Sequence, residues 1–207
     1  MTVKTAHSAH LIRRNRRLRK LTQGRKLAYQ RLCSACADLT TICRDLQNRL
    51  DRQEAVIDYQ KHLLSRSDDH EVFSRFFRLF TERTGPLFGA AMLCDENAEL
   101  KLVGRFGVPV PDGVNFCQSI AEAMVPDMLE RPEVMVLDAF ENIQKFPTRL
   151  HRFLVGLSVL VVPLMVAEGS LIGVVVLYRK GEQPFTNDDI ALARIIGPPT
   201  AAAAQQT

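Results

Sequence analysis

The chain has 207 residues, 46% of them hydrophobic, which suits one medium-sized domain with its own core and a further segment beside it. Its charge is unevenly divided: 15 Lys and Arg stand against 5 Asp and Glu up to Arg66, and 12 stand against 18 in the remainder. The five cysteines lack the spacing of a secreted disulfide framework, and the N-terminus lacks the apolar segment of a secretory signal. These features exclude a small secreted, disulfide-bonded protein, and we expect a reducing, cytoplasmic setting.

Residues 1–26 form a basic segment, which we expect to be a flexible arm. No acidic residue occurs before Asp38. Such a cluster of cations attracts non-specific anionic partners, either nucleic acid or a membrane surface, by counterion release and long-range attraction. A solvated segment without a partner and a mitochondrial transit segment are the alternatives. The residues assigned to polyanion binding are Arg13, Arg14, Arg16, Arg17, Arg19 and Lys20.

Residues 27–66, here called the stalk, contain no Gly or Pro and carry a continuous heptad pattern. Nine of the eleven a and d positions from Tyr29 to Leu64 are apolar residues or cysteine, which is typical of a two-stranded coiled coil. Gln53 and Gln60 are the two polar positions. The stalk therefore predicts a homodimer, with a helix folded back on its own domain as the alternative. The predicted dimerisation residues, here called the heptad seam, are Leu32, Cys36, Leu39, Cys43, Leu46, Leu50, Ile57 and Leu64.

Two cysteines of the stalk have the spacing C-x-x-C, at Cys33 and Cys36, which occurs in zinc sites. A structural zinc site needs four ligands, and Cys43 is the only further cysteine nearby in the sequence. The sequence therefore favours packing over metal binding, because a reduced cysteine behaves as a small apolar side chain.

Residues 67–199 have the pattern of a globular domain, and residues 200–207 form a short tail. The polar segment Ser67–Glu71 offers side chains that can cap a helix. A helix is expected to begin near Asn115–Cys117, where the helix N-terminus would lower the pKa of the Cys117 thiol and make it a redox sensor. Upstream, the pattern predicts a helix over 72–83 and strands over 87–94 and 99–106.

Two apolar runs in the last third, Leu157–Val166 and Leu171–Tyr178, are too short to span a bilayer as helices and are rich in Val, Ile and Leu. They predict two buried strands joined by a hairpin loop at Ala167–Ser170. Thr186 and the acidic residue three positions later have the spacing of a capping box, so a helix is expected to begin there. Gly197-Pro198-Pro199 is expected to end it, because proline lacks the N–H donor and clashes with the preceding turn.

This last third resembles the closing segment of the GAF domain, a regulatory module of signalling proteins. The upstream elements follow each other in the family's order. The resemblance implies an α+β fold, with an antiparallel sheet flanked by helices and a pocket on one face, here preceded by a long coiled-coil helix. It is carried by Ser158, Val162-Pro163-Leu164, Gly169, Leu171-Ile172-Gly173-Val174, Pro184-Phe185-Thr186 and Asp188-Asp189, with Asp138-Ala139 and Phe146-Pro147 upstream.

The implied pocket should be mainly apolar with a few polar contacts. Bilin-binding members of the family pair the attachment cysteine with a histidine, but Gln118 follows Cys117 here. The signature of cyclic-nucleotide-binding members is incomplete at Asn142–Phe146, so the cofactor stays unassigned. The candidate ligand-binding residues are Phe106, Asn115, Phe116, Cys117, Ser119, Ile120, Met135, Asp138, Phe140, Phe153 and Ser158.

No catalytic motif is recognisable in the sequence. There is no Gly-rich phosphate loop, and neither His70 nor His151 belongs to a recognisable motif. The sequence therefore predicts a non-catalytic, homodimeric regulatory or sensory adaptor with a signalling-protein partner and a small-molecule ligand. The alternatives are an interaction scaffold with a vestigial pocket and a thiol-based redox enzyme that resembles free methionine sulfoxide reductase, although the chain has no Trp and does not match the motifs of that enzyme.

Overall fold

The computed structural model describes residues 3–63, 68–109, 111–137, 146, 148–166 and 169–206, and only the backbone of residues 3–13, 15, 149, 152 and 153. The chain divides into two compact units, Met1–Gln53 and Glu54–Thr207. The elements, in chain order, are α1 (Val3–Leu63), α2 (Asp69–Thr84), β1 (Phe88–Cys94), β2 (Leu100–Phe106), α3 (Asp112–Glu130), β3 (Met135–Leu137), α4 (Thr148–Leu154), β4 (Leu157–Met165), β5 (Leu171–Lys180) and α5 (Asn187–Ala204).

The first unit is the larger part of α1. The basic segment predicted as a flexible arm is helical from Val3 onward, because it is rich in the good helix formers Ala, Leu, Arg and Lys, Gly24 is its one glycine and no proline occurs. The apolar side chains of the stalk that belong to this unit are exposed, with Leu39 at 60% and Leu46 at 53%. Their exposure leaves an unpartnered apolar stripe on this helix.

The second unit is built on one antiparallel sheet with strand order β2-β1-β5-β4-β3. The two predicted apolar runs form the neighbouring strands β4 and β5. Gly173 in β5 lies so close to β1 that an added Cβ would come within 2.3 Å of the Met92 carbonyl oxygen. Gly169, in the loop between β4 and β5, has a φ of 76°, which a residue with a side chain rarely adopts.

Helices cover both faces of the sheet and create two apolar clusters. The α2/α5 cluster contains side chains of α2, α5 and the last turns of α1, and the α3/α4 cluster contains side chains of α3 and α4. Alternate residues of β5 belong to different clusters, with Leu177 in the first and Val176 and Tyr178 in the second. The α+β fold with a sheet flanked by helices is therefore confirmed.

Four phenylalanines of α2 fill the centre of the α2/α5 cluster, and all four are fully buried. Their spacing places them on one face of the helix, while the helix begins at Asp68, whose carboxylate accepts a hydrogen bond from the Glu71 amide. The predicted capping segment thus begins α2 as expected. The four residues are Phe73, Phe76, Phe77 and Phe80.

The last turns of α1 pack against the globular unit to which they belong. Val56 and Tyr59 are buried in the α2/α5 cluster, and the Tyr59 hydroxyl lies 2.7 Å from the Thr200 hydroxyl oxygen on α5. Ile57 is 49% exposed. The end of α1 thus packs against its own domain, but by residues outside the heptad seam, and the dimer stays a prediction; Leu64, the last predicted seam residue, lies outside the described residues.

The prediction that Gly197-Pro198-Pro199 ends the last helix is wrong. Helix α5 continues to Ala204, so most of the predicted tail is helical. The two prolines leave the carbonyls of Arg194 and Ile195 without intrahelical donors, but both residues are on the exposed side, where water can bond to them. Burial of Ile196, Thr200 and Ala201 on the opposite side holds the helix together.

A buried ion pair joins three parts of the globular unit. A terminal nitrogen of Arg179 on β5 lies 2.6 Å from Asp189 Oδ2 on α5, and both side chains are less than 10% exposed. The guanidinium also donates to the carbonyl oxygens of Thr84 and Pro184 and lies 4.2 Å from the centre of the Phe185 ring. Asp189 completes the predicted capping box by accepting from the Thr186 amide.

We expect Asp189→Ala to lower the free energy of unfolding by about 3–5 kcal/mol, because it leaves the Arg179 charge buried without its partner. Urea unfolding followed by circular dichroism measures the change. Glu133→Ala is the matched control, since it removes the exposed pair Glu133–Arg194 and should cost less than about 1 kcal/mol. Equal losses in the two variants would contradict the role assigned to the buried pair.

Candidate functional site

A cavity of about 720 Å³ lies between α3 and the face of the sheet that carries the α3/α4 cluster. Helix α3 forms one wall, and the beginning of β4 and the end of β5 contribute to the other. Its volume is in the range of small-molecule sites in proteins. The lining residues are Pro109, Asp112, Gly113, Asn115, Phe116, Gln118, Ser119, Glu122, Leu150, Leu157 and Tyr178.

The polar wall of the cavity is one side of α3. Asp112, Asn115, Ser119 and Glu122 recur every three or four residues, so the helical period brings them to the same side. Gln118 belongs to this row and donates a hydrogen bond of 3.0 Å to the Glu122 carboxylate. Among the described lining residues the charged groups are the carboxylates of Asp112 and Glu122, and Lys and Arg do not occur.

Two aromatic rings belong to the apolar part of the lining, together with Pro109, Leu150 and Leu157. Phe116 meets Tyr178 edge to face, with ring centres 5.3 Å apart, and Tyr178 stacks on Phe88 at the same distance. Burial raises the pKa of Tyr178 to about 12, with a smaller contribution from Cys117. The Tyr178 phenol therefore stays protonated at neutral pH.

Three of the predicted site residues line the cavity, namely Asn115, Phe116 and Ser119. Three others lie behind this lining: Cys117 and Ile120 are fully buried in the α3/α4 cluster, and Met135 packs against it. Cys117, Ile120 and Met135 therefore belong to the core beside the cavity and do not line it.

Two predicted site residues belong to the other face of the sheet. Phe106 packs against the α2/α5 cluster and stacks on Phe77, with ring centres 5.9 Å apart. Ser158 is buried, and its hydroxyl oxygen accepts a hydrogen bond from the Phe185 amide. Phe106 and Ser158 were predicted to bind a ligand but do not line this cavity. Side chains alternate between the two faces of a strand, and these two are on the opposite face of the sheet. Asp138, Phe140 and the side chain of Phe153 lie outside the described residues.

The expectation of a reactive Cys117 is also wrong. Helix α3 begins at Asp112, one turn earlier than expected, so Cys117 is not at the helix N-terminus. The thiol is fully buried, and burial raises its pKa to about 12. At neutral pH it is therefore a protonated, apolar core side chain rather than a thiolate nucleophile.

Sequence analysis missed the residues that complete the cavity. The polar ones follow from the helical period once Asn115 and Ser119 are accepted, since Asp112 and Glu122 lie three residues before the first and three after the second. Tyr178 lies at the end of the second predicted strand. Nothing in the sequence around it distinguishes a residue that lines the cavity from a residue of the core. The wall residues from the loop and from α4, Pro109 and Leu150, carried no local signal.

The stalk and the basic segment that precedes it share the single helix α1 over their described residues. The described side chains of the predicted polyanion-binding group, Arg14, Arg16, Arg17, Arg19 and Lys20, are exposed on α1, and the side chain of Arg13 lies outside the described residues. In the described part of the chain, no group of three His, Cys, Asp or Glu residues is placed to hold a metal ion. No helix there is long and apolar enough to cross a membrane.

Comparison with protein families identifies the chain. A five-stranded antiparallel sheet with helices on both faces and a cavity under one helical layer is the arrangement described above. The model of the GAF domain family matches residues 39–203, and the chain belongs to this family. GAF domains are sensory and regulatory modules, so a sensory or regulatory role is supported for this chain. A comparison with curated proteins found no match.

Solved structures with the same fold come from several bacterial proteins. The GAF domain/HD domain protein from Geobacter sulfurreducens is 20% identical, with a TM-score of 0.57, over 68% of this chain and 94% of that chain. The GAF domain of a phosphoenolpyruvate-protein phosphotransferase from Coxiella burnetii is 13% identical, with a TM-score of 0.59, over 76% and 94%. The GAF domain of a putative sensor histidine kinase from Pseudomonas syringae pv. tomato is 16% identical, with a TM-score of 0.52, over 79% and 91%.

We expect the native protein to leave Cys117 unmodified by a soluble maleimide at pH 7.5, whereas exposed Cys33 reacts. The raised pKa alone makes the thiolate of Cys117 on the order of 1,000-fold scarcer than that of an ordinary cysteine. Peptide mass spectrometry after timed labelling measures both sites. Labelling in denaturant, which should modify both cysteines, is the control, and equal rates in the native protein would contradict the burial of Cys117.

Proposed function

We propose that the protein is a non-catalytic, dimeric sensory adaptor that binds a small molecule in the α3 cavity and reports it through the stalk. The observation that carries the proposal is the position of β5 between these two features. Tyr178 lines the cavity, while the neighbouring Leu177 belongs to the cluster that holds Val56 and Tyr59 of α1. The cavity and the end of the stalk thus belong to the two apolar clusters that share β5, one on each face of the sheet.

The hydrogen bond between Tyr59 and Thr200 gives this route a polar component. Both groups are buried, and Thr200 also donates to the carbonyl of Ile196. A ligand changes the stalk only if it binds one stalk arrangement more tightly than another, because equal affinity shifts no population. We place the responsive part of the stalk near Gln53 and Gln60, where polar d positions weaken the predicted coiled coil.

The described lining indicates the chemistry of the ligand. Two carboxylates and three neutral polar side chains on α3 line the cavity together with the rings of Phe116 and Tyr178, and both carboxylates and aromatic rings attract a cation. We infer a ligand that has a flat apolar body and carries a positive charge or several hydrogen-bond donors. The polar row from Asp112 to Glu122 extends for about 15 Å along the helix, so hydrogen-bond acceptors for a cationic group occur along the whole row.

An interaction scaffold is the second candidate function. The exposed apolar stripe of the stalk favours it, because this stripe is open to a partner helix whether or not the cavity is occupied. A signalling-protein partner, an anionic partner for the basic segment and a cytoplasmic location remain proposals. The thiol-based redox enzyme loses support, since its best candidate nucleophile in the globular unit, Cys117, is buried and protonated.

We expect tryptamine to bind the protein more tightly than indole-3-acetate, because the two share a ring system and differ in the sign of their charge. Titration followed by protein-observed NMR or calorimetry measures both affinities. Glu122→Gln should weaken tryptamine binding by about two- to fivefold, as expected for an exposed charge pair. Glu130→Gln, an exposed change on the same helix outside the cavity lining, is the matched control.

Tighter binding of indole-3-acetate than of tryptamine would contradict the inferred cationic ligand. The protein could then still be a sensor, but for another class of ligand. Binding that is unaffected by Glu122→Gln would place tryptamine outside the cavity. If a broad ligand screen finds no binder while a partner protein binds the stalk, the scaffold is the correct function.

We expect the protein to be a dimer that the double change Leu39→Asp and Leu46→Asp converts to monomers, because four charges would enter the heptad seam of the pair. Light scattering under reducing conditions measures the mass. The matched control is Ser34→Asp with Thr41→Asp, which adds the same charges at exposed f positions and should remain dimeric. A monomeric unaltered protein would show that the stalk does not assemble two copies.

A further inference from the structure

Three cysteines lie close together on the exposed part of α1. Cys33, Cys36 and Cys43 are all free and exposed. By the heptad count, Cys36 and Cys43 occupy successive a positions of the seam, whereas Cys33 occupies an e position beside it. Two thiols therefore share the apolar stripe with Leu39 and Leu46, and a third provides an internal comparison.

A second copy of this chain is the occupant that fits the stripe. The heptad pattern extends from Tyr29 to Ile57, which is about 42 Å of helix, and keeps the seven-residue spacing over that length. Its large apolar side chains expose about half of their surface or more. Pairing two copies would bury roughly 1,000 Å² of apolar surface, which reaches the size of a specific interface.

Parallel pairing brings like-numbered a positions within the reach of a disulfide. Packed helices have axes about 8–10 Å apart, and each Cα lies about 2.3 Å from its axis, so facing Cα atoms are about 3.4–5.4 Å apart. Disulfides require about 4.4–6.8 Å between Cα atoms. The e positions lie on opposite flanks of the pair, and antiparallel pairing does not place both Cys36 and Cys43 opposite their own copies.

We propose that Cys36 and Cys43 each form a disulfide with the same residue of the second copy when a peroxide oxidises the protein. The proposal rests on the dimer proposed above. A thiolate attacks the peroxide and becomes a sulfenic acid, and the hydroxide that leaves takes up the proton lost by the thiol and forms one water. The facing thiol then displaces a second water from the sulfenic acid to form the disulfide. Two thiols lose two electrons and two protons to one hydrogen peroxide. The bond fixes the helix register and prevents dissociation of the copies.

An intrahelical disulfide between Cys33 and Cys36 is the competing product. These residues are three apart, which places their Cα atoms about 5 Å from each other in a helix. It consumes Cys36 within one chain and leaves the chain a monomer on a denaturing gel. Variants that retain a single stalk cysteine remove this competition.

Four variants of the full chain test the proposal. Cys33→Ser with Cys43→Ser retains Cys36, Cys33→Ser with Cys36→Ser retains Cys43, and Cys36→Ser with Cys43→Ser retains Cys33. The triple serine variant retains only the cysteines of the globular unit, Cys94 and Cys117. Each is treated with hydrogen peroxide, quenched with N-ethylmaleimide and run on a non-reducing denaturing gel, with light scattering of the reduced protein in parallel.

We expect covalent dimers, reversed by dithiothreitol, from the variants that retain Cys36 or Cys43, and at least tenfold less from the Cys33 variant and the triple variant. Equal cross-linking through Cys33 would overturn the proposal. The proposal would also be wrong if the reduced protein were dimeric by light scattering but did not cross-link through either seam cysteine. That result would leave the proposed dimer intact. A monomeric reduced protein would overturn the dimer and the disulfides together. In the unaltered chain, oxidation that yields only the Cys33–Cys36 product would exclude Cys36 as an intersubunit site.

Discussion

Burial of β5 on both faces is the constraint on which the rest of the second unit depends. A strand in the middle of a sheet must cover two sets of alternating side chains, and Val174 to Leu177 of β5 are all fully buried. Helices are therefore required on both sides, and each helical layer acquires its own apolar cluster. The cavity under α3 and the docking of α1 follow from this division, since each belongs to the apolar cluster on one face of the sheet.

The sequence predicted the elements whose local chemistry agrees with the tertiary structure. The apolar runs of β4 and β5 and the capping box at Thr186 were found because burial and capping are encoded in neighbouring residues. The end of α5 could not be found in this way. The prolines disfavour a helix locally, but this effect is outweighed by the burial of Ile196 and Thr200 against elements that are distant in the sequence. Val56 and Tyr59 were missed because the heptad pattern places them outside the seam, and only the α2/α5 cluster reveals their role.

The candidate site was predictable in part for a similar reason. Asn115 and Ser119 lie on a helix, where one correct residue indicates its neighbours on the same side. Phe106 and Ser158 lie on strands, where neighbouring residues alternate between the two faces and both faces are apolar, so composition cannot assign the face. Cys117 shows that an error of one turn in a helix boundary changes a predicted sensor thiol into a core side chain, because its chemistry depends on solvent access as well as position.

The boundary between the two compact units falls inside the continuous helix α1, after Gln53, rather than in a loop. A fragment of the globular unit that began after Leu63, where the helix ends, would lack Val56 and Tyr59, two buried members of the α2/α5 cluster. A fragment that began at Glu54 would keep both and lose only the exposed length of the helix. The compact globular unit of this chain therefore includes nearly three turns of the stalk.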